Sequence, residues 1–188
     1  VDGDDRSLPI ELAYRYWAEA TEVIMMSDYK LILAGLLFNV YWLIAVLGQQ
    51  AYVWLLVLSF LACWWFFPKV GRYAFLIAGA GVLMDGILSA SNVLAFPSAL
   101  LPFWLVMLWL GFGCFVWFMR DLVKQYPIHL ISLIGGVGGA LSYFAGYRLQ
   151  AVEWPLGAGL TLVILFASWL FFSLLLARML KRSASCSA

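Results

Sequence analysis

The sequence predicts an all-α polytopic membrane protein: a bundle of six transmembrane helices preceded by a short N-terminal amphipathic helix. Three observations carry that prediction. The 188 residues are 65% hydrophobic and only 11% charged, with mean hydropathy +0.97, whereas a soluble domain has roughly 45–50% apolar and about 25% charged residues. Seven of the ten acids (Asp2, Asp4, Asp5, Glu11, Glu19, Glu22 and Asp28) fall within residues 1–28, leaving Asp85, Asp121 and Glu153 for the rest. The long uncharged stretches match one or two membrane crossings, at about 20 apolar residues each. A soluble globular protein is excluded. A barrel would need ~10-residue segments alternating apolar and polar residues, and runs such as LVILFASWLFFSLLLA do not alternate.

Residues 1–28 are acidic, with seven acids against two arginines. From Ser7, an N-cap, Leu12, Tyr16, Ala20 and Val23 or Ile24 recur at helical spacing, with Pro9 in the first turn. Two readings stand, a surface amphipathic helix and an upstream extension over 1–24 that ends just before Met25 and Met26. The acidic start differs from the basic region of a secretory signal. Residues 29–182 form the membrane domain, and 183–188 form a cytoplasmic tail.

Residues 31–68 carry no charge and are about twice one crossing, with Gly48, Gln49 and Gln50 at the centre, so they read as a helical hairpin over 31–47 and 51–67. Residues 73–119 are interrupted only by Asp85, and the polar, Pro-containing stretch 89–98 marks a turn between helices at 73–90 and 99–119. Two further crossings are expected at 128–147 and 156–178. Orientation follows from Lys and Arg, which cytoplasmic loops retain. Ten of the eleven (Arg6, Arg15, Lys30, Lys69, Arg72, Arg120, Lys124, Arg178, Lys181 and Arg182) fall on one side and Arg148 alone on the other, which puts both termini in the cytoplasm.

Motifs for chemistry are few. Cys63 and Cys114 lie in predicted spans and Cys186 in the tail, a spacing that suggests neither pairing nor a metal site. With one histidine, His129, no His/Cys/carboxylate metal cluster can be assembled. His129 and Asp85 differ in depth by roughly 18 Å at ~1.5 Å per residue, too far for a triad. Residues 135–139, GGVGG, interrupt an apolar run rather than open a helix after a strand, so they are not a phosphate loop. No cofactor, metal or nucleic acid is expected. The expected partners are membrane lipid and, on a scaffolding reading, another membrane protein.

Small residues give the packing signal. Ser132, Gly135, Gly139, Ser142 and Gly146 make one stripe on the fifth helix, and Ala78, Gly81, Asp85, Ser89 and Asn92 make another on the third, so close approach of these two helices is expected, with Gly81, Gly135, Gly139 and Gly146 at the contact. Asp85 is the candidate site, because an ionisable group in a span costs ~2.5–3.5 kcal/mol and usually faces the bundle interior. Counted by helical rise, it lies about 20 Å from the cytoplasmic edge. Ser142 and Tyr143 reach about 21–23 Å, Trp104 comes near that level from the outer side, and Asn39 sits about 14 Å up the first helix. With Ser89, Asn92 and Arg148 these residues outline a polar pocket in the outer half. The competing reading is an Asp that fixes helix register through a Tyr or Ser neighbour.

The segment Asn39 to Trp42, the MDG around Asp85, FPSALLPFWLVMLWLGFG over 96–113 and GGVGGALSYFAGYRLQAVEW over 135–154 resemble a bacterial integral-membrane family known as domain of unknown function 2878. The likeness runs from about Leu31 to Leu180. It implies a small multi-span protein of the bacterial inner membrane, encoded in some genomes near genes for fatty-acyl modification, with no established activity. This chain has Gln150 where the family's final motif has Gly. Two function classes stay open: a bundle that binds or moves a small amphiphile or a proton around Asp85, and a lipid-modifying enzyme or the membrane partner of one. Acid–base chemistry normally needs a second titratable group within reach; only Tyr143, or Arg148 and Glu153, could serve, so the balance is against catalysis.

Overall fold

A computed structural model describes residues 29–97 and 100–185; the expected amphipathic helix within 1–28 and residues 186–188 of the tail lie outside them. Six helices run through the described residues: α1 (Tyr29–Gly48), α2 (Val53–Phe66), α3 (Val70–Ala90), α4 (Phe103–Gln125), α5 (Ile128–Arg148) and α6 (Ala158–Ser185). Five are long and apolar enough to cross a membrane, α2 being the shorter one. Large apolar side chains such as Leu43, Trp54, Leu83, Ile134, Val163 and Phe171 face outward, as they must where the surroundings are hydrocarbon. The chain is a polytopic helical membrane protein.

Helix ends differ from the sequence expectation for local reasons. The turn between α1 and α2 takes residues 49–52, with Gln49 at φ +44° and the Tyr52 ring folded over Gly48. This leaves α2 with 14 residues. Pro102 stands at the N-cap of α4, which delays that helix to Phe103, because proline fits a helix start and restricts the residue before it. At the other end Arg120, Asp121 and Lys124 continue the helix to Gln125; Asp121 accepts from Lys124 at 2.9 Å, and the Arg120 guanidinium lies 4.1 Å from the centre of the Trp117 ring.

Packing is centred on α4, which meets α2, α3 and α6, while α5 packs along α6. From Phe38 onward the chain makes one compact unit. There α1 is held to α4 by Tyr41, whose ring lies against Gly111 and whose hydroxyl donates to the Met107 carbonyl at 2.7 Å. The expected backbone packing of the third helix on the fifth is not what the two stripes do. Gly81 on α3 receives the indole of Trp109 from α4, and Gly139 on α5 receives Trp169 from α6; a Cβ at either glycine would stand 2.2 or 2.0 Å from the ring. Each stripe is a seat for a large side chain of the next helix in its own hairpin. Cys63 and Cys114 are both free. They meet where α2 lies along α4, a neighbourhood that sequence spacing does not reveal.

α3 and α5 end alike. Asn92 (φ +57°) and Gln150 (φ +59°) are left-handed. At each end the following N–H bonds back to the carbonyl five residues earlier: Val93 to Leu88 and Ala151 to Gly146, both at 2.9 Å. This is the Schellman closure that glycine ordinarily provides. Glycine relieves the Cβ conflict of a left-handed residue, worth about 1–2 kcal/mol, against its larger unfolded-state entropy. Gln150→Gly should therefore melt higher than Gln150→Ala in detergent, by up to about 1 kcal/mol; equal melting would mean that Gln150 carries no strain.

Candidate functional site

Asp85 is fully buried on the face of α3 turned toward α4 and α5. Its two carboxylate oxygens have separate donors: the Trp109 indole Nε1 donates to Oδ2 at 2.7 Å, and the Tyr143 hydroxyl donates to Oδ1 at 2.5 Å. Neither partner is charged, so the carboxylate is satisfied by hydrogen bonds alone. Tyr143 is among the residues the depth arithmetic brings to Asp85. Trp109 is not, because an indole on an apolar helix reads as core.

A cavity of about 280 Å³ lies beside this network, lined by Phe38, Trp42 and Val46 of α1, by Trp104, Leu108, Phe112 and Phe115 of α4, by Gly135, Gly138, Ser142, Tyr143 and Gly146 of α5, and by Trp169 and Ser173 of α6. It approaches the size of small-molecule pockets, which start near 300 Å³. The pocket expected around Asp85 was polar. The groove observed is apolar and aromatic, and Asp85 does not line it, because the side chains of Tyr143 and Trp109 stand between carboxylate and cavity. Phe38 stacks on Phe115 at 4.7 Å, and Trp109 on Trp169 at 5.3 Å. The small residues of α5 leave the floor low.

The sequence-predicted residues divide accordingly. Trp104, Ser142 and Tyr143 line the groove, with Gly135, Gly139 and Gly146. Gly135 lies against Ser173, and Gly146 stands in ordinary contact with Val152. Asn39 is exposed on α1, Asn92 and Arg148 are exposed at the ends of α3 and α5, and Ser89 is half-buried; none of these four lines the groove. Asp85 and Gly81 lie behind its wall, in the contact of α3 with α4.

A family model for a protein of unknown function (DUF2878) matches residues 31–175, all but the chain's two ends. The chain belongs to that family. The match takes in α2 to α5 whole and most of α1 and α6 of this DUF2878 protein, and it includes Asp85, Trp109, Tyr143 and Trp169. No curated protein matches the DUF2878 chain, and no solved structure does.

Proposed function

We propose that this protein sits in the bacterial inner membrane and holds the apolar chain of a small membrane amphiphile in the groove formed by α1, α4, α5 and α6. The observation that carries the reading is the groove's make-up: aromatic walls over a floor of Gly135, Gly138, Ser142 and Gly146, with Tyr143 and Trp109 reaching from the groove to the buried carboxylate. Small residues at a helix surface normally let another helix approach. Here the exposed Gly138 has no atom within 4 Å of where a Cβ would be, which leaves width for an alkyl chain.

A photoactivatable fatty acid, offered to the protein in lipid nanodiscs, should crosslink mainly to α4 and α5. Gly138→Leu places a side chain in open groove and should cut that labelling several-fold while melting stays unchanged. Labelling spread evenly over all lipid-facing helices, or unaffected by Gly138→Leu, would refute the reading.

The proposed topology is six crossings with both termini in the cytoplasm. It is supported by the basic residues gathered where α4 and α6 end, with Lys181 donating to the Tyr126 carbonyl at 2.6 Å and Arg120 and Lys124 on Asp121. Reporter fusions after Arg182 and within residues 148–154 should give cytoplasmic and periplasmic signals respectively. A periplasmic signal after Arg182 would overturn the orientation.

A further inference from the structure

The helices α3 and α5 are both 21 residues long and begin 58 positions apart, at Val70 and Ile128. Setting one hairpin on the other at that spacing aligns Gly81 with Gly139, Asp85 with Tyr143, Asn92 with Gln150 and Pro97 with Pro155. In the return helices a spacing of 60 aligns Leu105-x3-Trp109-Leu110-x-Phe112 with Leu165-x3-Trp169-Leu170-x-Phe172. The geometry follows the alignment. Both indoles seat on the matching glycine, and both helix ends close with the same bonds.

More telling are the contacts between the hairpins, because they join matched positions to each other. Ala95 and Glu153 exchange both backbone hydrogen bonds, at 3.0 and 2.9 Å. Trp109 and Trp169 stack with their planes 13° apart. Trp109 meets Phe172 at 5.3 Å and Trp169 meets Phe112 at 5.5 Å, while within the hairpins Trp109–Phe112 and Trp169–Phe172 are 5.6 and 5.5 Å. Asp85 bonds to Tyr143. Contacts of residue i with its own counterpart, and reciprocal contacts of i with the counterpart of j, are what a two-fold axis produces. The matched pair 85/143 is also where the sequence symmetry breaks, since one member is an acceptor and the other a donor. Trp109 Nε1 finds the carboxylate, and its counterpart Trp169 Nε1 has no partner.

We infer that α3–α4 and α5–α6 are two copies of one hairpin set about a local two-fold axis along the bundle, and that the Tyr143–Asp85 hydrogen bond on this axis is a latch that sets the width of the groove between them. The groove takes α4 from one copy and α5 from the other, so any rotation of the copies about their shared loop bridge changes its width. The backbone bridge at 95 and 153 is the pivot, and the side-chain bond is the part that can open. Parallel repeats about an axis along the membrane normal are an arrangement in which whole halves move against each other. The latch regulates the groove proposed above and rests on that reading for its ligand, but its motion can be measured without one.

Spin labels at Leu108→Cys and Gly138→Cys, in full-length protein carrying Cys63→Ala, Cys114→Ala and Cys186→Ala, report the distance across the groove. Tyr143→Phe keeps the ring and removes the donor, and it should shift the distance distribution to longer values. Asp85→Asn can still bond to Tyr143 and should leave the distribution in place. In unlabelled protein with the same alanine replacements, the pair A95C/E153C should form a disulfide equally fast with and without Tyr143→Phe, because the pivot stays shut and the hairpins stay folded. An unchanged distance in Tyr143→Phe overturns the latch, and slower crosslinking there overturns the pivot. If the distance shifts but no fatty-acid probe enters the groove, the latch stands and the ligand reading falls.

Discussion

Alanine at Gly113 is expected to destabilise the bundle by about 1–3 kcal/mol, the range of overpacked cores, while alanine at Gly138 leaves it as stable or more so, by up to about 1 kcal/mol. Gly113 lies on the face of α4 that meets α3, and a Cβ there would stand 2.6 Å from the Ala74 Cα and 3.0 Å from its carbonyl oxygen. At Gly81 and Gly139 the conflict is with an indole, which can tilt. At Gly113 it is with backbone, so the only relief is to push two helices apart along their tightest contact. That displacement would also draw Trp109 off Gly81 and away from Asp85. The two alanine variants have the same composition and the same gain in helix propensity, so denaturant midpoints in detergent isolate the packing effect. Equal midpoints would mean that the α3–α4 contact is looser than its geometry.

Asp85→Leu should cost about 2–6 kcal/mol, since it strands two buried donors, the Trp109 indole and the Tyr143 hydroxyl, at roughly 1–3 kcal/mol each, and membrane interiors offer no water to take them. The cost falls to about 1 kcal/mol where the side chains find other acceptors, as often happens within membranes, where measured hydrogen bonds average about 0.6 kcal/mol each. Asp85→Asn keeps an acceptor and the shape, and it should stay within about 1 kcal/mol of the parent. The contrast between the two variants, read as unfolding midpoints, separates the network from the volume of the side chain. Similar midpoints for both would show that the carboxylate is not what holds α3 to α4 and α5.

The meeting of Asp85 with Tyr143 is legible in the sequence, because helical rise places both at nearly the same depth and a lone carboxylate in hydrocarbon must find a donor. The helix that approaches each glycine stripe is not legible. A stripe says that something large comes close, and it is equally satisfied by a neighbouring backbone or by an indole from the adjacent hairpin arm. Trp109 stays hidden for a related reason, since ten tryptophans in an apolar chain give no hint of which one turns its N–H inward. The signal that could have singled it out is the repeated Leu-x3-Trp-Leu-x-Phe, which becomes visible only when the fourth and sixth helices are compared directly. Helix ends depend on small events such as Tyr52 folding over Gly48, and periodicity does not register these.

The brevity of α2 has a consequence for the lipid around the protein. At ~1.5 Å per residue its 14 residues reach about 21 Å, against ~30 Å of hydrocarbon. Its far end carries Trp64, Trp65, Phe66 and Phe67, all exposed, as aromatic anchors at a headgroup boundary would be. On the proposed six-crossing topology the bilayer dips where α2 borders lipid, to meet that shorter apolar wall at fractions of a kcal/mol per ångström of mismatch, while beside the full-length α5 and α6 it keeps its ordinary thickness. The collar of lipid around this protein is thus lopsided, and a membrane of shorter-chain lipids is the one it deforms least.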